Sequence, residues 1–148
     1  MISLLSYLCN GISLGSVYAI IALGYTMVYG IAKMLNFAHG DVIMIGAYVT
    51  FCCMNYLGLP PYVAILAAVV VCALLGVVIE RLAYKPLRQA SSLAVLITAI
   101  GMSYLLQNSA LLLWGSNPKI FPAVVNLGMV SLFGGQLQIS GNTVLTVA

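Results

Sequence analysis

No charged residue precedes Lys33, and none lies between Val42 and Ile79. Each tract is longer than the roughly 20 apolar residues that cross a bilayer core. Backbone groups in hydrocarbon find no outside hydrogen-bond partner, so such tracts have to be helical. Between them lies one polar, helix-interrupting island, Lys33-Met34-Leu35-Asn36-Phe37-Ala38-His39-Gly40-Asp41. It holds the only histidine and one of the two acidic residues. Charged residues make up 5% of the chain, against about 25% in soluble domains. A chain this poor in charge cannot cover a water-facing surface. The expected fold class is all-α, a polytopic transmembrane helix bundle; the alternating short segments of a membrane β-barrel are not its pattern.

The apolar pattern predicts spans over about residues 7–32, 41–57, 62–83 and 93–114. An outward loop over 115–142 follows, and a fifth span opens at residue 143. Six residues cannot cross a bilayer, so the 148 residues read as a partial transmembrane permease domain whose last span is cut short. In the loop, Val130 to Ile139 form two short alternating runs about Gly134-Gly135, the signature of a β-hairpin. Met1 to Asn10 hold no Lys or Arg, which argues against a cleaved signal peptide and keeps the first segment in the mature protein.

The basic residues act as topology markers. Lys85 and Arg88, with Glu80 and Arg81 just before them, form a short positive segment expected on the cytoplasmic face. Counting back, residues 58–61 face outward, the island faces inward, and the amino terminus lies outside. No basic face with interleaved aromatics indicates nucleic-acid binding. Cys9, Cys52, Cys53 and Cys72 lie in apolar tracts without metal-ligand or disulfide-framework spacing; they read as small packing residues.

Small residues predict where helices meet. Gly11 and Gly15 form a GxxxG pattern, and Ala64, Ala68, Cys72 and Gly76 recur every fourth residue as a stripe on one face. Continuing that spacing reaches Glu80, which is expected to point into protein. Thr26, Gln107 and Asn108 are costly facing lipid and are expected to face the bundle. Trp114 suits an interfacial aromatic belt.

The island admits two readings. In one it is helix-end electrostatics: Lys33 near a carboxyl end, Asp41 near an amino end and capping the second helix, Gly40 turning the chain. In the other it is a broken-helix site, with Asn36, His39, Gly40 and Asp41 lining a solute path or its gate. Glu80 and Arg81 read as an anchoring pair at the inner interface or a contact to a cytoplasmic partner. Enzyme signatures fail: there are two acids and one histidine, and no nucleophile elbow, zinc motif or phosphate loop. No catalytic residue, metal site or cofactor is expected. A passive channel and an intramembrane enzyme using His39 and Asp41 are the rival classes.

Residues 10–30, from Asn10-Gly11-Ile12-Ser13-Leu14-Gly15 to Tyr29-Gly30, followed by Asn36-Phe37-Ala38-His39-Gly40, closely resemble the permease subunits of bacterial branched-chain amino acid ABC importers, the LivH type. Glu80 to Arg88, Leu96 to Ser103 and Leu106-Gln107-Asn108 carry the same resemblance. It implies a multi-pass protein of the bacterial inner membrane. Its implied partners are a second permease subunit, two cytoplasmic ATPase subunits, and a periplasmic or lipid-anchored solute-binding protein. Leucine, isoleucine or valine would be the solute, moved by alternating access with nucleotide hydrolysed on the other subunits. Relatives that carry urea or short amides give an alternative cargo, and a non-transport assembly role is the alternative for a truncated chain. Family members run to roughly double this length, with the ATPase-coupling loop in the second half. This chain is expected to be the first half and, alone, not to couple to ATP hydrolysis.

Overall fold

The structure, a computed structural model, describes residues 2–122, 129–132 and 137–140. Its elements are α1 (Ile2–Ala32), α2 (His39–Asn55), α3 (Pro61–Ile79), a π-helical turn (Glu80–Tyr84) running into a 3-10 turn (Lys85–Leu87), α4 (Ser92–Trp114), and strands β1 (Met129–Leu132) and β2 (Leu137–Ser140). Among the described residues, three helical stretches are long and apolar enough to cross a membrane: Ser3–Ala32, Pro61–Leu87 and Ser92–Trp114. The 17 residues of α2 rise about 26 Å, short of the ~30 Å hydrocarbon core. The span expected from residue 143 lies outside the described residues.

The chain divides into two compact units, residues 1–30 with 123–148, and residues 31–122. In the first, α1 starts at Ile2 and runs through Asn10-Gly11 without a break. Its hydroxyls turn back on their own helix: Ser16 donates to the Ile12 carbonyl at 2.8 Å, and Thr26 to those of Ala22 and Leu23 at 2.7 and 3.0 Å. Such back-bonding satisfies a hydroxyl in an apolar setting without a neighbouring helix, so Thr26 does not need the bundle partner expected for it. Strands β1 and β2 pair antiparallel, with Met129 opposite Ser140 and Leu132 opposite Leu137.

The second unit packs α2, α3 and α4 around Ala38, Ile79, Ala83, Tyr84, Ala99 and Leu106. Local chemistry sets its boundaries. Lys33 adopts φ 55°, a left-handed conformation that ends helices and costs a non-glycine residue about 1–2 kcal/mol. After α2, Gly58 takes φ 61°. Pro60 in extended backbone then precedes Pro61 in the first turn of α3, where a missing N–H costs nothing. Ser91 caps α4, accepting from the Ala94 N–H at 3.4 Å. Gly115 ends α4 with φ 76°.

Helices α2 and α3 approach closely at Gly46, where an added Cβ would stand 2.9 Å from Cys72 Sγ. Ala64 and Ala68 are buried and Cys72 is half-buried, but Gly76 is exposed. The stripe therefore ends one step early. Four residues turn an α-helix by about 400°, so each repeat drifts some 40° around the axis. By the fourth member the contact face has passed to Leu75 and Ile79, which pack on the core instead.

Candidate functional site: the interrupted start of α2

The site is built from the island outward. Asn36 shapes the turn into α2. Its Oδ1 accepts from the Ala38 N–H at 3.1 Å, and its carbonyl accepts from the His39 N–H at 3.2 Å. The same Oδ1 accepts from the Tyr84 hydroxyl at 2.8 Å, across 48 positions of sequence. Ala38 is fully buried against the core. One side chain thus ties the turn to itself and to the far end of the α3 segment.

Five residues on, Asp41 makes a different attachment. It sits in the first turn of α2, and Ala38, the N-cap, makes no side-chain bond. Asp41 therefore does not cap its own helix as expected. Its carboxylate turns to α4, accepting from the Ser103 hydroxyl and, at 3.0 Å, from Gln107 Nε2. Gln107 Nε2 also lies 3.1 Å from Ser103 Oγ, to which it donates. Asp41 is 8% exposed. Ser103 and Gln107 are four residues apart, on one face of α4, which is why a single carboxylate meets both.

The depth of this cluster follows from counting. α4 has 23 residues, and Ser103 is its midpoint, about 16 Å from either end at 1.5 Å per residue. Toward its other end α2 stays beside α4: Trp114 Nε1 donates to Cys52 Sγ at 2.9 Å, and its ring stacks on Tyr48 with centroids 4.8 Å apart. Trp114 is thus half-buried within the unit. The two helices run parallel, and α2 begins level with the middle of α4. A carboxylate at the middle of a membrane helix costs about 2.5–3.5 kcal/mol on an insertion scale. Hydrogen bonds to charged groups return about 1.5–3 kcal/mol each, so two neutral donors are of the right size to hold it there.

The remaining residues divide. Gly40 is exposed, and an added Cβ there would meet no atom within 4 Å; it marks open space beside the start of α2. His39 is half-buried. Gln107 is exposed despite its bond to Asp41 and lies at the cluster's open edge. Asn108 is also exposed, its amide donating to the Tyr104 carbonyl at 2.7 Å in its own helix. Among the described residues Asn108 has no bundle partner. Glu80 does not point into the core: it is exposed and pairs with Arg88 at 2.6 Å rather than with its neighbour Arg81. Arg81 and Lys85 are exposed on the same segment. Added Cβ atoms at Gly11 and Gly15 meet nothing within 4 Å, so no close helix approach occurs there among the described residues. Ser103 and Tyr84 were not singled out from sequence. Ser103 had a signal in its four-residue spacing to Gln107; Tyr84 had none, because the π-helical turn sets where it points.

A broken helix that begins at mid-depth, fixed by a buried carboxylate among apolar spans, defines a multi-pass membrane protein with a polar interior site. Sequence comparison gives its family. Residues 7–146 match the family described as branched-chain amino acid transport system / permease component, and the chain belongs to that family. It is 46% identical to the high-affinity branched-chain amino acid transport system permease protein BraD of Pseudomonas aeruginosa, covering 82% of this chain and 42% of that protein. It is 45% identical to the corresponding LivH of Escherichia coli K12, with the same shares covered. A probable branched-chain amino acid transport permease protein LivH of Methanocaldococcus jannaschii is 34% identical over 59% of this chain. The chain thus spans less than half the length of these relatives. No solved structure matches it. The protein is a multi-pass membrane permease component.

Proposed function

We propose that this chain forms the first part of the solute pathway of a binding-protein-dependent importer for branched-chain amino acids. The solute arrives from a periplasmic or lipid-anchored binding protein at the outer face, where the β1–β2 hairpin and the rest of the 115–142 loop would lie. It passes between this permease and a second, similar subunit by alternating access. Two cytoplasmic ATPase subunits, engaged through the longer permease of which this sequence is a part, drive the cycle; nucleotide does not bind this chain. α2 serves as a fourth, shorter span, the amino terminus faces outward, and the 85–92 segment is cytoplasmic.

The observation that carries the reading, beside family membership, is the depth of Asp41. A helix whose amino end and charged side chain sit level with the middle of α4 is tolerated in a membrane when it is buried in protein or borders a water-filled cavity. Asn36, His39, Gly40 and Asp41 would border that cavity. Gln107, exposed beside Asp41, would extend its polar wall. Gly11 and Gly15 would pack against a helix of the partner subunit or of the longer permease.

The test is uptake of labelled leucine, isoleucine and valine by the full-length permease in its complete importer. Asp41→Asn and His39→Ala should each lower uptake while the subunits still assemble. Normal uptake in both would remove the island from the pathway. Uptake of urea or a short amide in place of the amino acids would change the cargo and keep the mechanism.

A further inference from the structure

We infer that Tyr84 is a positioning residue for transport: it holds the island at the angle that the pathway requires and makes that angle follow the turn at 80–88. The inference rests on the pathway reading of the island and assigns a role to a residue outside it.

Four observations converge. Tyr84 is buried, 8% exposed, in the core that also holds Ala38. Its hydroxyl reaches the oxygen of Asn36 that also receives the Ala38 N–H, so one acceptor serves both the shape of the turn into α2 and its tether. Tyr84 is the last residue of the π-helical turn, where the Lys85 N–H bonds the Glu80 carbonyl five residues back. A π turn adds a residue to the helical repeat and rotates everything after it, and this rotation brings Tyr84 round toward the island. Finally, the Glu80–Arg88 pair spans the same turn on its exposed side.

The geometry makes a short lever. The 80–88 turn stands at one end; the start of α2 stands at the other, five residues from Asp41. A shift of the turn pulls on Asn36, which re-aims the first residues of α2 against the fixed Asp41 attachment. Tyr84 touches no solute in this scheme. It acts through Asn36.

The experiment uses the full-length permease in its complete importer, reconstituted in vesicles, with uptake normalised to assembled complex. Tyr84→Phe removes one hydroxyl and keeps the buried ring. It should lower maximal uptake about five- to tenfold and leave the half-saturating solute concentration and the assembled yield unchanged. Asn36→Leu should do the same, and the double variant should be no worse than either single, since both break one contact. Normal uptake in Tyr84→Phe would overturn the inference. So would a loss confined to yield, which marks a purely structural role, or losses that multiply in the double variant. Normal uptake in Tyr84→Phe with loss in Asp41→Asn removes this inference alone. The reverse pattern removes the island from the pathway and leaves Tyr84 needing another target.

Discussion

The island is fastened at two ends, and the two fastenings differ in kind. At Asn36 the bond is between neutral groups, a phenol and an amide oxygen, in the core beside Ala38. At Asp41 it is between a carboxylate and two neutral donors on α4, level with that helix's midpoint. A neutral interhelical hydrogen bond in a membrane is worth about 0.6 kcal/mol on average and up to ~1.7 kcal/mol. A buried carboxylate stripped of its partners costs roughly 3–5 kcal/mol. The Asp41 end therefore fixes where α2 begins, and the Asn36 end is weak enough to give. Such an asymmetry suits a segment that must move at one end while staying registered at the other.

The comparison breaks first at Asp41. Replacing Ser103 by Ala together with Gln107 by Leu leaves the carboxylate without its donors and should destabilise the assembled permease by about 3–5 kcal/mol, read as a drop in the melting temperature of the detergent-purified complex. Asp41→Asn, which removes the charge and keeps an acceptor, should cost far less stability than it costs uptake. Equal losses of stability in the two variants would mean that the charge has no special standing at this depth.

Next comes the helix pair that carries the Asp41 end. Gly46→Val puts side-chain atoms where Cys72 Sγ stands, 2.9 Å from the first of them, and should cost about 1–3 kcal/mol by overpacking. Cys72→Ala in the same chain should recover part of it. A Gly46→Val permease as stable as the parent would show that α2 and α3 are not in close contact here.

At the Asn36 end, Tyr84→Phe should shift stability by no more than ~1.7 kcal/mol, much less than its effect on maximal uptake. A stability loss as large as that of the Ser103/Gln107 pair would make the two fastenings equivalent. Smallest of all is Glu80→Gln. The pair with Arg88 has side-chain exposures of 50% and 63%, so its loss should change stability by less than about 1 kcal/mol. If the pair guides the turn, the variant should show in uptake at low salt and fade as salt screens it.

The sequence showed some of this plainly and concealed the rest for physical reasons. The island's interruption of the helices was legible, because Lys33, Asn36, His39 and Asp41 stand among apolar residues. So were the proline start of α3, the Ser91 region as a loop, and the Ala64/Ala68/Cys72 face. Gly76 misled, since a four-residue repeat drifts around a helix and leaves the contact. Asp41 invited a capping role because it lies in a first turn; its actual partners lie 62 and 66 residues away, and only the Ser103–Gln107 spacing hinted at them. Tyr84 was hidden by the π-helical turn, a shift of register that no residue type announces.

The central claim is that the start of α2 borders a polar cavity within the membrane. Gly40→Cys, in a full-length permease whose native cysteines are replaced, tests it most directly, because space beside Gly40 is open. The measurement is the labelling rate by a small, charged, membrane-impermeant thiol reagent in the assembled importer, with and without ATP and loaded binding protein. The account predicts labelling that changes severalfold across the transport cycle. A thiol that stays unlabelled from both sides in every state, or one labelled equally in all of them, would contradict it.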